Sequence, residues 1–445
     1  MSTIVYRITG LLTQVLEEVP LGTNLGLLHL LFALLSGRFL PTRGAVIPAL
    51  SSLGLSPQAV RRSEAALCYG RWHLQSLLEQ WHKCVQHEGR FVPASYEGVQ
   101  PVACDLTAFF RPQLQGLTSK HYVSQAGKAL PAVVFGLSVA VGHIGSQRLG
   151  VPHLILRRAP DENEATLQTR LVCQVQKSLS PEQAAIVDAG FGLSDLLEID
   201  DLRFVARVRT NQSARRNFLP VYRGKGARPK RGELVRPLAR TRKGNTIAAT
   251  APDALAHWSD GKYAIEAHVW NALVLPEQKP GARAFRILAI YDPRYKEPLL
   301  LATTLAVSAE AVWRLYRDRW AVEHLPLAAK SMLGAERSFV FGKESRFRLP
   351  ELALLAGNLL AYVAATSAPV ASGFWDRCAR PTCGRLRRVL AGVHSAELPL
   401  PPGELRKKAS VTSHLKTGVE GHRRQKAIRR PFAPKATSTK VAQAA

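Results

Sequence analysis

The sequence predicts an α/β protein in which helices flank a mixed sheet, a helical N-terminal domain precedes it and a strand-rich insertion interrupts it. Three observations carry this prediction. The chain has 445 residues, 46% of them hydrophobic, which suffices for a sizeable core. Its apolar pattern changes from helical to strand-like near residue 100. Its basic residues then cluster in two regions that interrupt or follow the apolar segments.

The charge balance concerns partners rather than fold. Lys and Arg number 60 and Asp and Glu number 33, giving a net charge of +27, so double-stranded DNA or another nucleic acid is the leading partner. A membrane is not expected, because the longest apolar stretch, 25–35, has about half the length of a spanning helix, and no signal-peptide pattern is seen. The six cysteines form no CxxC pair, so we expect reduced cytosolic thiols and no zinc site.

Residues 1–95 are predicted to form a helical DNA-binding domain. Over 44–67, two apolar stretches flank a short turn, and Ser56, followed by a proline, suits the N-cap of the second helix. Arg61 and Arg62 lie near the start of that helix, where a helix-turn-helix motif presents side chains to a DNA groove. An ordinary helical hairpin would have the same pattern, and this alternative stays open.

From residue 96 the predicted elements follow the order three strands, helix, strand, helix, strand. Their ranges are 99–110, 132–144, 149–157, 162–178, 184–191, 194–199 and 203–209. This order predicts a mixed sheet covered by helices and suits an RNase H-like core formed by 96–211 and 306–370. In the second part we expect a long helix over 309–333 and an apolar helix over 350–366.

Two basic regions complete the chain. Residues 203–245 carry 14 Lys or Arg against one acid, and the strand-rich segment 212–305 is predicted to be an insertion into the core. Six cations of this segment are predicted to contact DNA phosphates: Arg215, Arg216, Arg223, Lys225, Lys230 and Arg231. A merely solvated face is the alternative. The basic region 371–445 ends in a tail, from about 401, that is predicted to be disordered.

Three acids are the candidate catalytic and metal-binding residues. Asp105 lies within an apolar strand and Asp188 at the end of another, and a carboxylate there is costly unless it is paired or binds a metal. Glu323 lies on the helix predicted over 309–333. Such oxygen ligands suit Mg²⁺ or Mn²⁺, and two ions can activate a water and stabilise the leaving oxygen in phosphoryl transfer. Backbone N–H groups at strand ends could instead satisfy either aspartate.

The same helix carries a spaced signature. Four residues follow the pattern Y-x2-R-x3-E-x6-K: Tyr316, Arg319, Glu323 and Lys330. At about 100° per residue they fall within an arc of about 60°, and we expect the tyrosine and both cations to grip a DNA phosphate beside the metal-binding acid. Arg319 could also pair with Asp318 or Glu323. Pro326 is expected to kink the helix and move Lys330 off the arc.

With these residues in place, the sequence resembles the bacterial insertion-sequence transposases of the DDE type, in the group with the Y-R-E-K signature. Asp105 and Thr107 resemble the family's first-strand D-x-T, 188–191 its D-x-G-F, and Glu323 its third acid. The resemblance implies cleavage at transposon ends that depends on Mg²⁺, and strand transfer through a 3′-hydroxyl. We expect two ions, with Mn²⁺ as a substitute, a homodimer or higher oligomer on DNA, and a cytoplasmic, nucleoid-associated location.

Two other functions remain open. One is a catalytically silent DNA-binding protein derived from a transposase, against which the intact acid triad argues. The other is an RNase H-like nuclease without strand transfer. Family members can also carry an aromatic residue before the last core helix that holds a flipped base. Here the corresponding stretch, 297–301, has no Trp, and neither Trp270 nor Trp313 is assigned to that role.

Overall fold

The computed structural model of the chain describes residues 2–398, apart from 223, 225, 226, 243 and 372. Three of the predictions from the sequence concern residues that are not among these. Arg223, Lys225 and the tail from about residue 401 lie outside the described residues.

Five helices precede the sheet in the described part of the chain. They are α1 Ser2–Val15, α2 Thr23–Leu35, α3 Val46–Ser51, α4 Pro57–Tyr69 and α5 Leu74–Glu88. The predicted cap of α4 is confirmed, because the Ala59 N–H donates to the Ser56 hydroxyl at 3.3 Å. Gly54 has φ +78° in the turn between α3 and α4, a conformation that glycine adopts without a Cβ clash.

Strands make up most of the middle of the chain. They are β1 Val92–Pro93, β2 Gln100–Phe110, β3 Lys120–Val123, β4 Lys128–Ile144, β5 Gln147–Arg157, β6 Gln183–Val187, β7 Phe204–Arg207, β8 Ala214–Arg216, β9 Leu234–Val235, β10 Arg240–Arg242, β11 Asn245–Ile247, β12 Ala254–Asp260, β13 Tyr263–Val274, β14 Phe285–Tyr291 and β15 Leu299–Thr303. The remaining helices are α6 Glu164–Gln176, α7 Leu193–Glu198, α8 Ala309–Asp318, α9 His324–Leu327, α10 Ser345–Thr366 and α11 Cys383–Ala391.

One mixed sheet of 13 described strands organises the protein. Its main order is β1-β4-β2-β6-β7-β15-β14-β13-β8-β9, with β3 and β5 paired to β4 and β12 paired to β13. β2 runs antiparallel to β4 but parallel to β6, and β6 runs parallel to β7. The predicted succession of strands and helices is therefore present as β2, β4, β5, α6, β6, α7 and β7. The carboxyl ends of β2, β6 and β7 share one edge of the sheet.

The strands predicted as an insertion continue this sheet. β15 pairs antiparallel with β7, and β14 and β13 follow it outward. The reason is burial: Leu300, Leu301 and Ala302 of β15 are at most 1% exposed, and an apolar strand of this kind needs neighbours on both edges and both faces. The two-stranded hairpin of β10 and β11 lies apart from the sheet.

The N-terminal helices share one hydrophobic core with the sheet and with α10. Leu31 of α2, Phe135 of β4 and Leu352 of α10 belong to the same buried cluster. A polar chain crosses it: Trp81 of α5 donates to the Asn358 side chain at 2.7 Å, and Asn358 donates to a β5 carbonyl at 2.5 Å. The Trp81 N–H and the Asn358 amide are therefore both paired, as a packed interior requires.

The end of α4 is held by a second buried group. Arg348 of α10 is 2% exposed and donates to the carbonyls of Leu67 and Gly70, at 3.1 and 3.0 Å. These carbonyls close α4, where a cation interacts favourably with the helix dipole. The Trp72 ring packs on the same guanidinium at 4.7 Å. The helices of residues 44–69 are thereby fixed against α10.

α10 is long and apolar enough to cross a membrane by length and composition. Its most apolar window is 83% buried inside the protein. The core helix of a folded protein passes the same test, and the burial of α10 is what such a helix shows.

We predict that Arg348→Ala lowers the free energy of unfolding by about 3 kcal/mol, because two helix-terminal carbonyls lose their donor and a buried cavity opens. Chemical denaturation followed by circular dichroism measures the change. Arg314→Ala is the control, since Arg314 is a half-exposed surface arginine paired with Glu310 at 2.6 Å and should change stability by less than about 1 kcal/mol. Equal losses in both variants would contradict the prediction.

Candidate active site

The helix predicted over 309–333 is not continuous, so that expectation is wrong. α8 ends at Asp318, a 3₁₀ turn covers Arg319–Glu323, α9 follows, and a π-helical turn covers Ala328–Met332. Pro326 has no N–H to donate to the carbonyl four residues earlier, and its ring crowds that carbonyl. The regular α-helical hydrogen bonds are therefore interrupted already in the turn that precedes the proline.

Asp318 holds the point at which α8 ends. Its side chain is fully buried, its Oδ1 lies 2.9 Å from Arg148 Nε, and its Oδ2 accepts from the Tyr96 hydroxyl at 2.9 Å. Arg148 also donates to the carbonyl of Arg317 at 3.2 Å. Burial raises the pKa of Asp318, and Arg148 opposes that shift. Asp318 therefore pairs with Arg148 and not with Arg319.

The three predicted acids meet at the guanidinium of Arg319. Its nitrogens lie 3.0 Å from Asp105 Oδ2, 3.9 Å from Asp188 Oδ2 and 2.8 Å from Glu323 Oε1. Asp105 projects from β2, Asp188 directly follows β6, and Glu323 ends the 3₁₀ turn. Parallel pairing of β2 with β6 brings the first two acids toward one edge of the sheet, and the interrupted helix delivers the third acid and the arginine.

Burial makes these charges depend on each other. Arg319 is only 6% exposed. Burial raises the pKa of Asp105 to about 6, although the Arg319 guanidinium acts to lower it. Burial alone would lower the pKa of Arg319, but Asp188 and Asp105 outweigh it and the pKa is raised. A charged Arg319 is therefore what allows three carboxylates to approach one another.

Two further groups contact Asp188. The Tyr316 hydroxyl donates to Asp188 Oδ1 at 2.9 Å, and Arg207 Nη1 lies 3.8 Å from the same oxygen. Burial and the neighbouring Asp188 carboxylate raise the pKa of Tyr316 to about 12, so its hydroxyl keeps the proton at neutral pH. Sequence reasoning missed Arg207. Its signal was its position at the carboxyl end of the strand that follows Asp188.

Lys330 stays on the Asp105 side of the site despite the changed helix. Its Nζ lies 5.2 Å from the centre of the Phe109 ring. Phe109 and Asp105 share one face of β2, because side chains alternate along a strand. Burial lowers the pKa of Lys330, while Glu336 and Asp105 act to raise it.

The three acids offer a metal ion only oxygen donors. Carboxylate oxygens suit Mg²⁺ or Mn²⁺. As the side chains stand, the described residues contain no group of three or more His, Cys, Asp or Glu that could hold a metal ion. The Arg319 guanidinium bridges the acids in this arrangement. The ligand types fit a hard cation, provided that Arg319 releases at least part of its contacts.

The two predicted DNA-binding residues of α4 differ in exposure. Arg61 is exposed near the start of that helix and Arg62 is half-buried. Arg62 faces His29 of α2, whose pKa falls to about 4 chiefly because of burial and further because of this cation. Arg61 is therefore the more available of the two.

The predicted phosphate contacts of the 212–305 segment divide into two kinds. Arg215 donates to two backbone carbonyls at 2.9 and 2.8 Å, and Arg216 forms a two-pronged pair with Asp253 at 2.6 Å. Lys230 and Arg231 are exposed. For Arg215 or Arg216 to meet a phosphate, it must share or give up these contacts.

We predict that Asp318→Asn lowers the free energy of unfolding by about 3 kcal/mol, because it leaves the Arg148 charge unpaired beside a buried site. Adding Arg148→Gln removes that charge, so the double variant should lose less than the sum of the two single losses. Thermal and denaturant unfolding of the four proteins measures this coupling. Additive losses would show that the pair does not act as a unit.

The part of the chain that holds Asp188 and Glu323 is similar to a known protein family. Residues 141–359, just under half of the chain, match the family model described as "Transposase DDE domain". The matched range includes Asp188, Glu323 and Lys330, whereas Asp105 lies ahead of it. The search of curated proteins gave no match. The large mixed sheet with its helices is consistent with such a domain, and the family match supports a DDE transposase.

Proposed function

We propose that the chain is a DNA transposase that cleaves phosphodiester bonds at transposon ends and joins the freed 3′-hydroxyl to target DNA. The convergence of Asp105, Asp188 and Glu323 on Arg319 carries the proposal, because these residues come from three elements far apart in the chain. The strand order around β2 supports an RNase H-like core in which these acids are the catalytic centre. The family match supports the reaction class.

We infer that Asp105, Asp188 and Glu323 hold two Mg²⁺, for which Mn²⁺ can substitute. DDE transposases generally use divalent metals, and the three side chains are hard oxygen donors. When bound, such ions neutralise the charge of the scissile phosphate and activate the attacking oxygen. Two of the acids also have a neighbour that limits their motion, since Asp105 accepts from the Leu106 N–H at 2.8 Å and Asp188 accepts from Tyr316.

The neighbouring side chains suit the positioning of DNA. Arg319 can present a planar pair of N–H groups to two phosphate oxygens when it releases the carboxylates. Tyr316 orients Asp188 through its hydroxyl, and Lys330 adds a cation on the Phe109 side. Holding a phosphate in line with its attacking oxygen lowers the barrier without a covalent intermediate, because the geometry is set before the reaction begins.

DNA recognition is assigned to regions outside the acid cluster. We propose that α3 and α4 read the terminal sequence, with Arg61 and Arg62 at the groove. The exposed cations of 212–305 hold the phosphate backbone with little sequence preference. The protein acts on double-stranded DNA as a homodimer or higher oligomer, in the cytoplasm and associated with the nucleoid. Charge, exposure and helix order support the DNA contacts, whereas the oligomer and the location are what the resemblance to transposases implies.

The first test concerns the acids. Asp105→Asn, Asp188→Asn and Glu323→Gln should each reduce cleavage and strand transfer by about a thousandfold or more, because each removes one hard oxygen ligand from the reaction centre. Single-turnover rates on transposon-end DNA with Mg²⁺ measure cleavage. Pre-cut ends measure joining separately, and so distinguish a transposase from a nuclease without strand transfer.

The control for this test is Glu198→Gln, an exposed acid on α7. It should cut and join at the wild-type rate. DNA affinity of the three acid variants, measured without divalent metal, should be at least that of the wild type, because a carboxylate near a phosphate is neutralised. A variant that cuts normally would remove that residue from the reaction centre.

The second test concerns the basic segment. Replacing Lys230 and Arg231 together by Ala should flatten the slope of log K against log salt by about 1.8, since each lost phosphate contact contributes about 0.9. Affinity for end DNA and for scrambled DNA should fall about equally, because phosphate contacts carry no base information. The measurement is DNA affinity across a salt series.

The matched control is the double variant Arg216→Gln/Asp253→Asn, which removes a cation together with its carboxylate partner. Its salt slope should equal that of the wild type. An altered slope in the control would mean that Arg216 leaves Asp253 to contact DNA. A loss confined to end DNA in the Lys230/Arg231 variant would mean that this segment reads bases.

A further inference from the structure

Several arginines have a buried Nε without a hydrogen-bond partner, but among the described residues only two, Arg111 and Arg346, leave a buried terminal guanidinium nitrogen unpartnered. Arg111, directly after β2, is 6% exposed; its Nη2 donates to the Val340 carbonyl at 2.6 Å, but its Nη1 has no partner. Arg346, in the first turn of α10, has two such atoms, Nε and Nη1. Buried donors are normally paired, and each unpaired one calls for a physical explanation.

The charge of Arg346 acts on Arg111, and both residues lie near the segment before α10: Arg111 bonds the Val340 carbonyl, and the Arg346 N–H donates to the Gly342 carbonyl at 3.2 Å. Burial lowers the pKa of Arg111 to about 10, and the charge of Arg346 lowers it further. Glu344 is the acid that acts on Arg346, but its carboxylate already pairs with Arg157 at 2.9 Å. Among the described residues, neither Arg111 nor Arg346 forms an ion pair. Two partly buried positive charges that both have unpaired N–H groups would be stabilised by a bound anion.

An aromatic ring packs against each of the two guanidiniums. The Phe341 ring lies 5.8 Å from the Arg111 guanidinium, and the Phe347 ring lies 5.0 Å from that of Arg346. An aromatic ring attracts a guanidinium without accepting its N–H groups as an oxygen atom would, so these contacts do not supply the missing hydrogen-bond partners.

The position along β2 connects this place to the acids. Arg111 continues the ladder of β2 through its N–H bond to Pro131, and the register with β4 is unbroken, so Arg111 faces the same side as Asp105. Phe109 lies between them and carries Lys330 on its ring. At about 3.4 Å per residue, Arg111 is about 20 Å from Asp105 along the strand. Lys330 and then Arg111 therefore lie on this side of β2, at increasing distance from the acids.

We propose that Arg111 and Arg346 form a binding site for a phosphate group, supplied by the DNA backbone away from the cleaved bond. This rests on the proposed function, because a duplex held at the acids must also reach the end of β2 that Arg111 follows. With about 3.4 Å of duplex axis per phosphate on each strand, the site would meet a phosphate about six nucleotides from the one being cut. The unpartnered nitrogens are buried, so the phosphate oxygens accept from their N–H groups after the partly buried Arg346 side chain turns toward the DNA. The phosphate charge then offsets the repulsion between the two guanidiniums.

The first arm of the test uses inorganic phosphate alone. The thermal midpoint of the full chain is measured in phosphate and in chloride of equal ionic strength. The wild type should gain about 2 °C or more in phosphate, because ligand binding to the folded state stabilises it. Arg346→Gln should lose this gain. Arg314→Gln removes the same charge from a surface ion pair and should keep it. Equal gains in the wild type and Arg346→Gln would overturn the site.

A second variant guards against misfolding. Arg111→Lys keeps the charge but removes the forked donor, so it should also lose most of the phosphate gain while net charge stays constant. An unchanged gain in this variant would overturn the role of Arg111.

The second arm identifies the source of the phosphate. Arg346→Gln should flatten the salt slope of duplex DNA binding by about 0.9, and Arg314→Gln should not. A phosphate gain in the first arm with an unchanged DNA slope would overturn the DNA assignment and leave a site for free phosphate. Neither arm requires cleavage, so a wild-type chain that fails to cut transposon ends would refute the proposed function alone.

Discussion

The guanidinium of Arg319 holds together three carboxylates that would otherwise repel one another in a poorly solvated place. Asp105, Asp188 and Glu323 lie 2.8–3.9 Å from its nitrogens, and Arg319 itself is 6% exposed. Because these buried charges must balance, the elements that carry them are constrained in position. β2 and β6 must be parallel neighbours to bring two acids to one edge, and the chain after α8 must turn so that the arginine and the third acid face them.

That turn depends on a conflict between local and tertiary preferences. A strong α-helical pattern runs through residues 309–333, but Pro326 cannot complete its bonding, and the buried Asp318 is held by Arg148 and Tyr96. The chain resolves the conflict by tightening into a 3₁₀ turn at Arg319 and widening into a π turn near Lys330. Unusual helix geometry is frequent where side chains are aimed at a functional site, and here it occurs on the signature residues.

The sequence predicted the parts of this arrangement that depend on local signals. Alternating apolar residues predicted β2, β4 and β5, and carboxylates inside apolar strands identified Asp105 and Asp188 as unusual. The continuous helix was a wrong expectation, because its pattern does not reveal the buried partners of Asp318. Arg148 lies in another element far along the chain, so spacing could not find it. For the same reason the pairing of β15 with β7, and the bond from Arg111 to the Val340 carbonyl, could not be predicted.

The ties between α4 and the core bear on how DNA can be handled. Arg348 of α10 donates to the carbonyls at the C-terminal end of α4. Hydrogen bonds of Trp81 and Asn358 connect α5, α10 and β5. The N-terminal helices and the acid-bearing sheet therefore pack in one core. A reading helix on a flexible linker could search for its site independently of the acids. Here Arg61 and the acids keep a fixed separation within one packed unit. If α4 reads the terminal sequence as proposed, the packing of α4 against the core sets the distance from the recognised base to the cut phosphate.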